Sequence, residues 1–157
     1  MNQENIKKIK ELFAEIEKEV AKNPEVEKLR MGTKIYVDDD GIVHLEPKGE
    51  IGSIMKYSEI IKDYLEKNKD KIIESLEIRV LAKVPSTFLK IPSFSVRKRI
   101  KESLKRSQKN LVFQKIAIYS GGAIAKTVVS FSLVVLGWKN ARYFKTEEEA
   151  LKWLKEE

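Results

Sequence analysis

The sequence predicts an α/β fold: a mixed, mostly parallel sheet of about five strands with an N-terminal hairpin, flanked by helices and preceded by an extra N-terminal helix. Three observations carry this reading. Residues 115–153 run as a short apolar segment, a small-residue turn, a segment rich in Val, Leu and Phe, a second short apolar segment and a helix start. Strands joined in this way by a helix are parallel and buried on both faces. Two β-rich runs, 33–37 and 42–45, flank Asp38, Asp39, Asp40 and Gly41, which spells a hairpin whose glycine takes a positive φ. Finally, 157 residues without a cysteine give one core of ordinary size with no disulfide or thiolate metal site to hold it.

Taken in order, residues 3–21 carry Ile6, Ile9, Phe13, Ile16 and Val20 at intervals of three and four, so they form a helix with one narrow apolar seam. Such a seam fits packing on the chain's own domain or a homodimer through the N-terminal helix. Asn23 and Pro24 end or restart this helix and Gly32 closes the next segment, so the chain divides into an N-terminal helical extension, 1–31, and an α/β domain, 32–157. Three consecutive aspartates lack the alternating carboxylates and closing Glu of a calcium loop and read as a turn. Residues 53–67 hold a helical stripe of Ile54, Tyr57, Ile61, Tyr64 and Leu65, with one more turn at Ile72, Ile73 and Leu76 before a strand at 78–84. An irregular segment, 86–95, leads into a helix at about 96–107. The helix at 123–136 is apolar over more than half its circumference, more than one sheet face requires. The last helix opens on Thr146 and Glu149, a capping box, and turns Ala150, Leu151 and Leu154 inward with Trp153 as an anchor.

The formal net charge of +7 is localised. Residues 81–110 hold nine basic side chains and one acidic one, while the rest of the chain is nearly balanced. The helix at 96–107 has a thin apolar stripe, Val96, Ile100 and Leu104, surrounded by Arg97, Lys98, Arg99, Lys101, Lys105 and Arg106. These six are the candidate contacts for anionic groups. They adjoin Phe88, Leu89, Ile91 and Phe94, which with Val128, Phe131 and Leu133 of the apolar helix are the candidate lining of an apolar pocket. Apolar and aromatic side chains beside dense positive charge suit a lipid or an anionic membrane surface. The bland alternative is a loop covering the sheet and lysines solvating an outer face. Nucleic acid is the less expected partner, because the basic helix has no interleaved aromatics.

Three phrases give the chain a family likeness. DGIVHL at 40–45, residues 115–120 with the turn and apolar helix that follow, and RYFKTEEEALKWL at 142–154 together resemble the STAS domains of the SpoIIAA-like branch, a fold related to CRAL-TRIO lipid-binding domains. The resemblance spans residues 33–157. It implies a binding or regulatory module, in some members a partner-switching one controlled by phosphorylation of a serine in an Asp-Ser-Ser-Gly type turn. Here that turn reads Val84-Pro85-Ser86-Thr87-Phe88, without the Asp or the Gly, and Lys83 stands where a carboxylate is usual. Ser93 and Ser95, close to Arg97, are the remaining candidates for phosphorylation, and they are equally ordinary helix caps.

Catalytic chemistry finds little support. His44 is the only histidine, which excludes multi-histidine metal sites and leaves any triad one choice. Ser120-Gly121-Gly122 has neither dinucleotide-loop spacing nor a P-loop Lys-Ser/Thr, and reads as a strand-to-helix turn. The expectation is therefore a non-enzymatic binding or regulatory module without a cofactor, binding a lipid, another apolar ligand or an anionic membrane surface, with a protein-interaction module in a regulatory circuit as the alternative. The first residues lack a signal peptide's apolar stretch, so the expected location is cytoplasmic or peripheral to a membrane.

Overall fold

In the computed structural model, helix α1 (Gln3–Ala21) is followed by α2 (Pro24–Arg30), β1 (Lys34–Val37), β2 (Ile42–Glu46), α3 (Ile51–Lys67), β3 (Ile78–Lys83), β4 (Phe113–Tyr119), α4 (Ala123–Leu136), β5 (Ala141–Phe144) and α5 (Glu147–Lys155). The structure describes residues 1–30, 32–49, 51–68, 77–84, 94–95, 98, 102, 113–120, 122–136 and 139–156. The extra turn expected at Ile72, Ile73 and Leu76 lies outside them.

The five strands stand in the order β1-β2-β3-β4-β5, with β1 antiparallel to β2 and every other pair parallel. The α/β class and the hairpin-led, mostly parallel sheet are thus as the sequence predicts. Gly41 holds φ at +78°, as the hairpin requires. Strand β4 begins at Phe113, two residues before the predicted stretch; Gln114 accepts from Arg79 of β3, and Lys115 donates to carbonyls at the end of α5.

Alternation along β2 sends Ile42 and Val43 to opposite faces, and each face has its own core. Val43 packs with Ile78, with Tyr57 and Ile61 of α3, with Val26 of α2 and with Ile9, Leu12, Ile16 and Val20 of α1. Ile42 packs with Leu81 and Ala117 and with Ala150 and Leu154 of α5. Burial pushes the Tyr57 phenol up to about 12. Its relative exposure is 2%.

Expected as an addition in front of the main domain, α1 contributes four residues to the larger cluster. Its seam faces this chain's own sheet and α3. Leu12 is buried and Phe13 packs at the margin, a shift of one residue from the periodicity reading. The helix starts at an Asn2 cap, whose side chain accepts from the Asn5 amide at 2.8 Å. It stops where Asn23 turns to cap α2 instead, accepting from the Glu25 amide at 3.1 Å, with Pro24 in the first position of the new helix. Arg30 of α2 pairs with Glu17 of α1 at 2.7 Å and holds the two helices together.

Candidate functional site

A sheet in sequential strand order has no point where the order reverses, so it lacks the crevice that doubly wound sheets open for ligands. Among the described residues, concavity appears instead at the carboxyl ends of β4 and β5. A cleft of about 460 Å³ there is lined by Ser120, Gly122, Ala123, Lys126, Tyr143, Phe144, Lys145 and Glu149. That volume is within the usual range for small-molecule sites.

Its floor is fixed by short-range bonds. The Ser120 amide donates to the Phe144 carbonyl at 3.4 Å, tying the end of β4 to the end of β5. Ser120 Oγ accepts from the Gly122 amide at 3.3 Å, which shapes the turn into α4. The Tyr143 hydroxyl donates to the Ser120 carbonyl, and burial holds that phenol above its ordinary value. On the far wall, Thr146 Oγ1 accepts from the Glu149 amide at 3.3 Å, the cap that the Thr146 and Glu149 spacing predicts. Lys126 and Lys145 are both exposed, and neither has an ion-pair partner among the described residues.

Beside the cleft, on the α5 face of the sheet, the Tyr119 hydroxyl donates to Glu147 Oε2 at 3.0 Å and the Tyr36 hydroxyl to Glu46 Oε1 at 3.3 Å. Burial raises both phenols, and the neighbouring carboxylates raise them further. These tyrosines are protonated donors at neutral pH.

His44 is 7% exposed. It stacks on Tyr36 with ring centroids 4.6 Å apart and planes 12° from parallel. Its Nε2 lies 2.9 Å from Asp38 Oδ2, while Asp38 Oδ1 accepts from the amides of Asp40 at 3.0 Å and Ile42 at 2.8 Å. The carboxylate that orients the imidazole is therefore also the one that folds the hairpin turn. This is a packed histidine on a strand. Among the described residues, no group of three or more acidic or histidine side chains is placed to hold a metal ion.

Of the residues singled out in and before the basic helix, Phe94, Ser95 and Lys98 are described. All three have helical backbone and are exposed, as does Glu102, so helical geometry begins at least two residues before the expected start. Phe94 is 76% exposed, which places it at the surface and not in the lining of a described cleft. Phe88, Leu89, Ile91, Ser93, Arg97, Arg99, Lys101, Lys105 and Arg106 lie outside the described residues. So do the side chains of Val128 and Phe131, whereas Leu133 is half-buried. On α4, Ala125 is buried and Lys126 and Thr127 are exposed.

The residues of the cleft were legible only as structure. Ser120 and Gly122 read as a turn, Lys126 fell within the apolar helix, and Tyr143 and Lys145 fell within the phrase at 142–154. The available signal was their position: all follow parallel strands at the carboxyl end, where loops converge.

No family model, curated protein or solved structure matches this chain. No helix among the described residues is long and apolar enough to cross a membrane.

Proposed function

We propose that this chain is a non-enzymatic binding module of the STAS type that docks on an anionic membrane surface through Phe94 and the basic stretch around it. The exposure of Phe94, 76%, is the observation that carries the reading. Phe94 is the most exposed of the large apolar side chains among the described residues, and it stands in the strongly basic region of the sequence, 81–110. Phe94 and Lys98 both have helical backbone, are both exposed and are four residues apart, the spacing that places two side chains on one side of a helix. An aromatic ring entering the lipid boundary and lysines over anionic headgroups act together in such an arrangement. The hairpin-led, mostly parallel sheet supports the STAS reading, and so does the closing helix anchored by Ala150 and Leu154.

Co-sedimentation with vesicles of phosphatidylcholine and phosphatidylglycerol tests this. Binding should require the anionic lipid and weaken as salt rises. Phe94→Ala should lower the affinity roughly 10-fold or more, the worth of about 1.5–3 kcal/mol of buried aromatic surface. Lys98→Glu should lower it by a similar factor, since each basic residue contributes about 1 kcal/mol and reversal counts twice. Absence of vesicle binding at low salt would sink the reading. Equal binding by Phe94→Ala, together with binding to duplex DNA, would replace it with a nucleic-acid one.

A further inference from the structure

Two cations from different elements face one cleft at the carboxyl edge, Lys126 from the first turns of α4 and Lys145 from the connection between β5 and α5. Neither is engaged in an ion pair with a described residue, although exposed lysines of α1 and α5 are. Exposed lysines left apart by their own fold can share a multiply charged anion, and phosphate, with charge on several oxygens, serves both at once. The cleft is larger than a phosphate alone requires. Its remaining lining states what else must fit: the rings of Tyr143 and Phe144 offer apolar walls, and the Glu149 carboxylate accepts a hydrogen bond and repels an unaccompanied anion.

We infer that this cleft binds an aminoalkyl phosphate, its phosphate between Lys126 and Lys145, its short alkyl chain against Tyr143 and Phe144, and its ammonium on Glu149. That chemistry is shared by a free phosphorylated amine and by the headgroup of an ethanolamine phospholipid. The inference does not rest on membrane docking, because its first test contains no vesicles.

The experiment is an amide-resolved NMR titration of the full chain with O-phosphoethanolamine, with inorganic phosphate alongside. Saturable shifts should appear at Ser120, Gly122, Ala123 and Lys145, with a Kd of about 1 mM, ordinary for a small exposed anion site. Lys126→Ala and Lys145→Ala should each weaken binding by roughly 10-fold, the worth of a charge-assisted hydrogen bond. Glu149→Gln should act in opposite senses, weakening O-phosphoethanolamine and tightening inorganic phosphate. All three side chains are exposed, so these variants fold. Saturable binding of the soluble compound identifies a free phosphoamine as the ligand. If it is inert while vesicles of phosphatidylethanolamine bind in a manner lost in Lys126→Ala but kept in Phe94→Ala, the headgroup is the ligand. Absence of both, or shifts indifferent to the two lysines, overturns the inference and leaves the Phe94 reading untouched.

Discussion

The two edges of the sheet handle charge in opposite ways. At the edge where β2 to β5 begin, several charged groups have work within the fold. Arg79 is buried and donates to the Gln114 side chain and to the Leu154 carbonyl, both at 2.8 Å. Lys115 donates to the Trp153 carbonyl at 3.2 Å and to the Glu156 carbonyl, so two cations close the carbonyl-bearing end of α5. Arg142 and Lys115 each stand 5.2 Å from the Trp153 ring. Each of the three aspartates has a separate partner: Asp38 with His44, Asp39 with Lys10 of α1 at 3.0 Å, Asp40 with Lys155 of α5 at 2.5 Å. At the opposite edge, Lys126 and Lys145 border an open cleft. The contrast separates charge that builds the fold from charge that is free to meet a ligand.

Breaking the closed edge should have the largest consequence. Arg79→Met removes two hydrogen bonds and leaves the buried Leu154 carbonyl with one donor fewer, which should destabilise the chain by about 3 kcal/mol. Thermal unfolding should register this as a fall in Tm of roughly 6–12 °C for a chain of this size. An unchanged Tm would show that α5 is held by Ala150, Leu154 and Trp153 alone. Asp38→Ala should follow, at about 2 kcal/mol in denaturant titration, because two turn amides and the His44 imidazole lose one shared acceptor. Asp39→Ala in the same assay should cost almost nothing, since Asp39 is fully exposed and such pairs are worth about 0–1 kcal/mol.

How far the sequence reaches follows the same division. The α1 seam, the Gly41 hairpin and the Thr146 cap are local patterns, read from spacings of three or four residues and from one glycine. Each is present in the structure. Arg79 lies inside an apolar strand, and nothing near it in sequence announces that its partner is a carbonyl 75 residues away. The cleft is illegible for the same reason, since Ser120, Lys126, Tyr143 and Glu149 come from separate elements that meet only when β4 and β5 pair. The aspartate triplet lies between these cases. Its turn is legible, but the helices that Asp39 and Asp40 reach are distant in sequence.

A smaller effect tests the closed edge by pH. The Lys155 ammonium, chiefly by its hydrogen bond, holds the Asp40 carboxyl below its ordinary value, and Asp40 in turn holds Lys155 above its own. A carboxyl lowered in the folded state adds stability above its unfolded value, near 3.9, and loses it as pH falls through the lower folded value. Both groups are more than half exposed, so solvent screening keeps the contribution small. Lys155→Ala should therefore be slightly less stable than the wild-type chain at neutral pH and converge with it near pH 2. A gap that persists there would assign the Lys155 effect to packing of its methylenes.

The smallest expected change sharpens the comparison most. If the carboxyl edge is free of structural duty, Lys126→Ala and Lys145→Ala should each leave unfolding free energy within about 0.5 kcal/mol of wild type, as surface changes without a partner do. Alanine is also the better helix former at position 126 in α4, which pushes that variant toward slight stabilisation. Lys145 precedes the Thr146 cap of α5, where the helix dipole opposes a positive charge while the three glutamates of the first turn attract it, so its removal should be close to neutral. Losses above 1 kcal/mol in either variant would show that these cations are engaged with the fold after all, and the two edges would no longer differ in kind. Stability unchanged and ligand affinity lost is the joint result that distinguishes a binding edge from a building one.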